Sequence, residues 1–83
     1  MVYNVSLKKR AIKALEKINE PYYSRLKKAL YDLANDPRPV GYKKLKGREG
    51  YRIRVADYRI IYKIHDNVLT VVVIGIGHRK HIY

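Results

Sequence analysis

Residues 51–62 read YRIRVADYRIIY, an alternation of apolar and cationic side chains that limits the fold more tightly than any other stretch. Successive side chains of an extended strand leave on opposite faces, so Tyr51, Ile53 and Val55 share one side and Arg52 and Arg54 the other. After a tight reversal at Ala56 and Asp57 the alternation resumes, with Tyr58, Ile60, Tyr62 and Ile64 on one side and Arg59, Ile61, Lys63 and His65 on the other. The pattern predicts a β-hairpin with one apolar and one basic face. The apolar face would seat the fold, and the basic face would meet a polyanion.

The rest of the chain supplies what such a hairpin needs. Residues 2–5 predict a short opening strand, and Ser6 is placed to cap a helix after it. From Leu7 onward, Leu7, Ala11, Ala14, Leu15 and Ile18 fall at helical spacing, while Lys8, Lys9, Arg10, Lys13 and Lys17 fill the outer side. Pro21 opens a second helix capped by Asn19 or Glu20, with Tyr22, Leu26, Ala29, Leu30 and Leu33 as its apolar face as far as about Ala34. Asn35, Asp36 and Pro37 stop it, and the short connection makes the two helices antiparallel neighbours. Residues 37–50 hold two prolines, three glycines and the basic set Arg38, Lys43, Lys44, Lys46 and Arg48, which predicts a surface loop anchored by Leu45. A turn at Asp66 and Asn67 then leads into residues 68–76, VLTVVVIGI, apolar on both faces as a central strand is.

The element order is β-α-α-β-β-β, an α+β domain spanning residues 1–83. Two N-terminal helices would cover one face of a twisted antiparallel sheet, leaving the face of Arg52, Arg54, Arg59 and Lys63 open.

A formal charge of +12 on 83 residues makes nucleic acid the leading partner class and an acidic protein the second. Without cysteine there is neither a disulfide framework nor a thiolate nucleophile, and no apolar run suits a signal peptide or a membrane span. A cytoplasmic protein with no membrane association is expected. Glu49, Asp57 and Asp66 are scattered, so neither magnesium nor a small-molecule cofactor is expected, and phosphate chemistry would run without a metal. His65, beside a turn, reads as a surface residue. His78, Arg79, His81 and Tyr83 differ, because they cluster at the exit of the last strand and combine groups that move protons with one that neutralises phosphate charge.

Three segments carry a resemblance that covers essentially the whole chain: KKLKG at 43–47, YRIRVADYRIIYKI at 51–64, and GHRKHIY at 77–83. With them the chain resembles the RelE/ParE superfamily of bacterial and archaeal toxins, and within it the RelE-type messenger-RNA interferases, which commonly have glycine in place of Ala56. The resemblance implies a RelE-like two-helix layer on a twisted sheet, a RelB-like antitoxin as partner, and cleavage of messenger RNA in the 30S ribosomal A site. It implies that Arg52 and Arg54 stand where these toxins often carry catalytic lysines, that Arg59 matches the basic residue of the second hairpin strand and Arg79 the arginine near the C-terminus, all four read as catalytic, and that Tyr83 matches the late tyrosine that stacks on a base or assists proton transfer. Arginine binds phosphate but does not titrate near neutral pH, so proton transfer would pass to His81 or His78, with Tyr83 second. Lys43, Lys44, Lys46, Arg48 and Lys63 would grip RNA. The same superfamily offers a competing function, a ParE-type poison of DNA gyrase, and a third, a catalytically weak RNA-binding relative.

Overall fold

The computed structural model describes residues 2–78. The alternating segment forms the hairpin it predicts: strand β3 (Tyr51–Val55) pairs antiparallel with β4 (Tyr58–His65), Val55 opposite Tyr58 across a two-residue turn. Before them come β1 (Asn4–Leu7), α1 (Lys9–Glu16), α2 (Tyr22–Asn35) and the two-residue β2 (Lys43–Lys44). After β4 a 3-10 turn (Asp66–Val68) leads into β5 (Thr70–His78). The five strands lie in the order β1-β5-β4-β3-β2.

The sheet is mixed: β1 runs parallel to β5, Asn4 opposite Thr70, while every other pairing is antiparallel. The helix pair explains this. It returns the chain to the end of the sheet where β1 began, as the 2.7 Å bond from the Tyr3 N–H to the Ala34 carbonyl marks. A three-strand meander launched from that end finishes with β5 pointing the way β1 points. β2 arises because residues 43–50 double back, with Lys43 opposite Arg52 and the Leu45 N–H donating to the Gly50 carbonyl at 3.0 Å. Gly50 is required there. Its φ is +124°, and a Cβ would stand 3.1 Å from the Tyr62 carbonyl oxygen and 3.3 Å from Leu45 Cδ1.

Two expected boundaries shift for identifiable reasons. Ser6 lies inside β1 and Leu7 ends it, because the ladder continues to Lys8, whose N–H donates to the Val73 carbonyl at 2.9 Å. The first helix therefore starts at Lys9 and has no side-chain cap. Pro21 precedes α2, and the Glu20 carboxylate accepts from the Ser24 N–H (3.0 Å) and hydroxyl (2.6 Å), occupying one of the free donors of the first turn.

Ala11, Leu26, Leu30 and Leu33 of the helices pack on Ile53, Ile60, Tyr62, Val71, Val73 and Ile76 of the sheet. Tyr62 is fully buried, and its hydroxyl donates to the Pro37 carbonyl at 2.8 Å. Burial pushes that phenol's pKa upward. Near the same end, Arg38 grips Asp66 through two bonds of 2.9 and 3.2 Å, while the Tyr3 hydroxyl donates to the same carboxylate at 2.6 Å. This cluster ties the start of β1, the loop after α2 and the β4–β5 turn together.

Two expectations follow. Ala56 holds a left-handed φ of 55°, which costs an L-residue with a Cβ more than it costs glycine. Ala56→Gly should raise stability by up to roughly 1 kcal/mol in urea unfolding, and Ala56→Val should lower it. The second concerns acid. The Arg38 guanidinium, and after it the Tyr3 hydroxyl, hold the Asp66 pKa down to about 2. The folded carboxylate is then more acidic than the unfolded one, so its contribution is complete above the ordinary carboxylate range and disappears as pH falls through about 2. Thermal melts of Asp66→Asn should accordingly lie below wild type at pH 7 and converge with it near pH 2.

Candidate nucleic-acid interface

Residues paired across adjacent strands share a face, so the register places the candidate side chains. Arg54 stands directly opposite Arg59, and Arg52 opposite Ile61 and Lys43. Lys63 follows Ile61 by one alternation on the same face. The helices pack on the other face, through Ile53, Ile60 and Tyr62, which leaves the arginine face uncovered by either helix.

An irregularity in β5 sculpts that face. Ile61 pairs with Gly75 but Tyr62 pairs with Val73, so Ile74 is the extra residue of a β-bulge. The bulge reverses the sidedness of everything after it. Gly75 and Gly77 come to lie opposite Ile61 and Arg59, and the strip of sheet beside the arginines carries no side chains. Next to it a cleft of about 410 Å³ is lined by Lys43, Lys44, Leu45, Lys46 and Arg48 of the 43–50 reversal and by Arg52, Arg59 and Ile61 of the hairpin. Ile61, 1% exposed, gives the cleft an apolar lining among cations. A concave surface so lined concentrates positive potential, and arginine offers phosphate two parallel donors.

Most of the candidates converge here: Arg52, Arg54 and Arg59 on the face, Lys63 beyond Ile61, and Lys43, Lys44, Lys46 and Arg48 along the cleft. His78 does not. It pairs with Tyr58 and meets that ring edge-on at 5.8 Å, while Tyr58 packs against Tyr22 of α2 at 5.6 Å. Its ring is on the helix side, and the sheet stands between it and the arginines. The structure therefore does not bring His78 to the arginine face, and the bulge is the reason. Arg79, His81 and Tyr83 lie outside the described residues. Among the described residues, no three His, Cys, Asp or Glu side chains gather in a way that would hold a metal ion. Sequence reasoning placed Ile61 on the basic face but missed the glycine strip, although the two-residue spacing of Gly75 and Gly77 was a signal for it.

A second concavity lies at the opposite sheet edge. Tyr3, Val5 and Leu7 of β1 and its lead-in, Leu15 of α1, and Leu30, Tyr31 and Ala34 of α2 line an apolar groove of about 360 Å³. β1 is an edge strand, and Tyr31 is 67% exposed.

Residues 5–83 match the family model of the ParE toxin of type II toxin-antitoxin systems, parDE. The chain is 31% identical over 83 residues to the mRNA interferase toxin RelE of Escherichia coli K12, with 96% of this chain and 86% of the relative covered. Its fold superposes on that of the archaeal RelE-RelB complex from Pyrococcus horikoshii OT3 with a TM-score of 0.85 at 27% identity, covering 99% of this chain and 100% of the other. The toxin-antitoxin complex RelBE2 from Mycobacterium tuberculosis gives 0.82 at 28% identity, covering 95% and 100%.

If the arginine face contacts phosphates, Arg52→Ala/Arg54→Ala should weaken binding to single-stranded RNA. In anisotropy titrations over a range of salt concentrations, the slope of log affinity against log salt should flatten by about 0.7 for each lost phosphate contact. An unchanged slope would remove the pair from the interface.

Proposed function

Since the chain belongs to the RelE/ParE superfamily of type II toxins, we propose that it is the toxin of such a pair and an endoribonuclease that cuts messenger RNA in the ribosomal A site, arresting translation. The observation that carries this reading is the convergence of Arg52, Arg54 and Arg59 on one uncovered face beside a basic, nucleotide-sized cleft. The relative's name, mRNA interferase toxin RelE, supports the reaction class.

In this reaction the ribose 2'-oxygen attacks the adjacent phosphorus. The O2'–P bond forms and the P–O5' bond breaks, leaving a 2',3'-cyclic phosphate on one fragment and a 5'-hydroxyl on the other. The 2'-hydroxyl gives up a proton and the departing 5'-oxygen takes one. Arg52, Arg54 and Arg59 hold the phosphate in line and neutralise the charge that grows on its oxygens. They move no protons at neutral pH. That task falls to His81, with Tyr83 second and Arg79 as a further phosphate ligand, as the resemblance of the GHRKHIY ending implies. The reaction is metal-independent.

A RelB-like antitoxin is the partner. The Pyrococcus and Mycobacterium neighbours are toxin-antitoxin complexes, and the apolar groove along edge strand β1 is suited to an amphipathic segment. A toxin that acts on ribosomes works in the cytoplasm.

The match to ParE toxins favours one second reading, in which the protein poisons DNA gyrase and cuts nothing itself. Brief expression followed by mapping of RNA ends and DNA breaks separates the two. Cuts within codons, reproduced by the purified protein on programmed ribosomes, support the nuclease, and accumulating DNA breaks support the gyrase poison. On the same ribosomes His81→Gln should slow cleavage at least tenfold, and a wild-type rate would take histidine out of the mechanism.

A further inference from the structure

The two proton transfers of the reaction above call for two groups. One removes the proton of the 2'-hydroxyl, and the other gives a proton to the departing 5'-oxygen. In-line displacement sets the attacking and leaving oxygens on opposite sides of phosphorus, so the two groups belong on opposite flanks of the phosphate. Arg52, Arg54 and Arg59 fill neither role, because a guanidinium keeps its proton. His81 serves one flank, which leaves the other in need of a donor.

The register of the sheet supplies one. Across the basic face the strands run β2, β3, β4, β5, and Lys43, Arg52, Ile61 and Gly75 stand in one row. Arg54, Arg59 and Gly77 form the next. Directly opposed side chains of an antiparallel pair leave the sheet about 5 Å apart on the same face, so the Lys43 ammonium, on its flexible four-carbon stem, reaches a phosphate that Arg52 holds. Lys43 also lines the cleft with Arg52 and Arg59, and it is exposed, so a proton it gives up is replaced from water. No neighbouring lysine combines these properties. Lys44 stands opposite Tyr51, whose ring meets Tyr62 on the helix side. Lys46 lies past Leu45, beyond the two residues of β2, and Lys63 is on the basic face but outside the cleft. On the far side of the row is β5, whose last described residue, His78, precedes His81 by three positions. A cation directly opposite a cation costs the sheet stability, and local rules are broken in this way at functional sites.

We propose that Lys43 is the general acid of the reaction, donating a proton to the 5'-oxygen as the P–O5' bond breaks. The inference rests on the nuclease reading above and names a further catalytic group for that same site. As the O2'–P bond forms, His81 takes the 2'-hydroxyl proton, while Arg52 and Arg59 neutralise the charge on the phosphate oxygens. The Lys43 ammonium passes a proton to O5', is left as a neutral amine, and is reprotonated by water. The amine that β3 lacks thus comes from the strand beside it.

The test compares wild type, Lys43→Gln and Lys43→Arg in single-turnover cleavage at saturating protein. The programmed ribosomes carry either ordinary messenger or messenger with sulfur in place of the scissile 5'-oxygen. A thiolate, whose thiol has an ordinary pKa of about 8.5, leaves without a proton. Both variants should cut ordinary messenger roughly a hundredfold or more slowly than wild type, and the sulfur-containing messenger at the wild-type rate. Lys43→Arg keeps the charge and the strand position, so its melting temperature should match wild type and its slow rate would not be lost folding. A wild-type rate for Lys43→Arg on ordinary messenger would overturn the assignment. So would equal slowing on both messengers, which would make Lys43 a phosphate ligand and nothing more. If wild type cuts neither messenger, the nuclease reading fails and the assignment with it; if wild type cuts both and the variants keep pace on both, the assignment alone fails.

Discussion

The register between β4 and β5 is the constraint on which the rest of the structure depends. The β3–β4 pairing alone puts Arg52, Arg54 and Arg59 on one face and the tyrosines and isoleucines on the other. What lies beside the arginines is decided on the next strand. Inserting Ile74 exchanges the faces of all that follows, so that Ile76 joins the core while Gly75 and Gly77 line the open side. In an unbroken ladder, alternation from buried Val71 would turn Gly75 inward opposite Ile60, leaving a gap in the core, and would set Ile74 opposite Ile61 and Ile76 opposite Arg59 on the basic face. One extra residue therefore completes the packing and clears the floor of the site together.

The ends of the sheet hold the site's walls in place. The reversal at 43–50 supplies most of the cations of the cleft and is tied to the sheet by the short β2 pairing and the Leu45–Gly50 bond. Rigidity comes from just before it. Tyr62 anchors Pro37 from within the core, and Arg38 is locked to Asp66 while lying 6.0 Å from the Tyr51 ring. Tyr51 in turn lies between Tyr42 and Tyr62 at 5.8 and 6.0 Å. The segment that delivers the chain to the cleft is thus fixed by one buried hydroxyl, one bidentate ion pair and a run of aromatic contacts.

How much of this the sequence disclosed depends on the range of each signal. The hairpin was legible because a period of two sustained on both sides of a turn has one reading, and α2 was legible because Leu26, Leu30 and Leu33 keep helical spacing. The bulge was not, since VVVIGI is apolar whichever face each residue takes, and the misplacement of His78 follows directly. The parallel β1–β5 pair depends on where the helices return the chain, which no local pattern encodes. Tyr3, Arg38 and Asp66 are separated by 28 to 63 residues, and a lone tyrosine, arginine and aspartate give no hint of one another. The candidate site was legible as a charge pattern and illegible as a shape.

The arrangement of like charges bears on the state in which the protein rests. Arg54 and Arg59 face each other across the hairpin, and Arg52 faces Lys43 on its other side, pairings that repel in a sheet. Lys9, Lys13 and Lys17, four residues apart along α1 and its C-cap, repeat the conflict there. Both sets are presented on elements fixed by packing, so the repulsion is built into the folded chain and is relieved when anionic groups arrive. Any polyanion or acidic partner that binds the folded form and not the unfolded one therefore stabilises it by mass action, in addition to whatever contacts it makes. For a domain of 83 residues with one thin core, repulsion among these charges lowers the stability of the free chain, and binding of an anionic group offsets it.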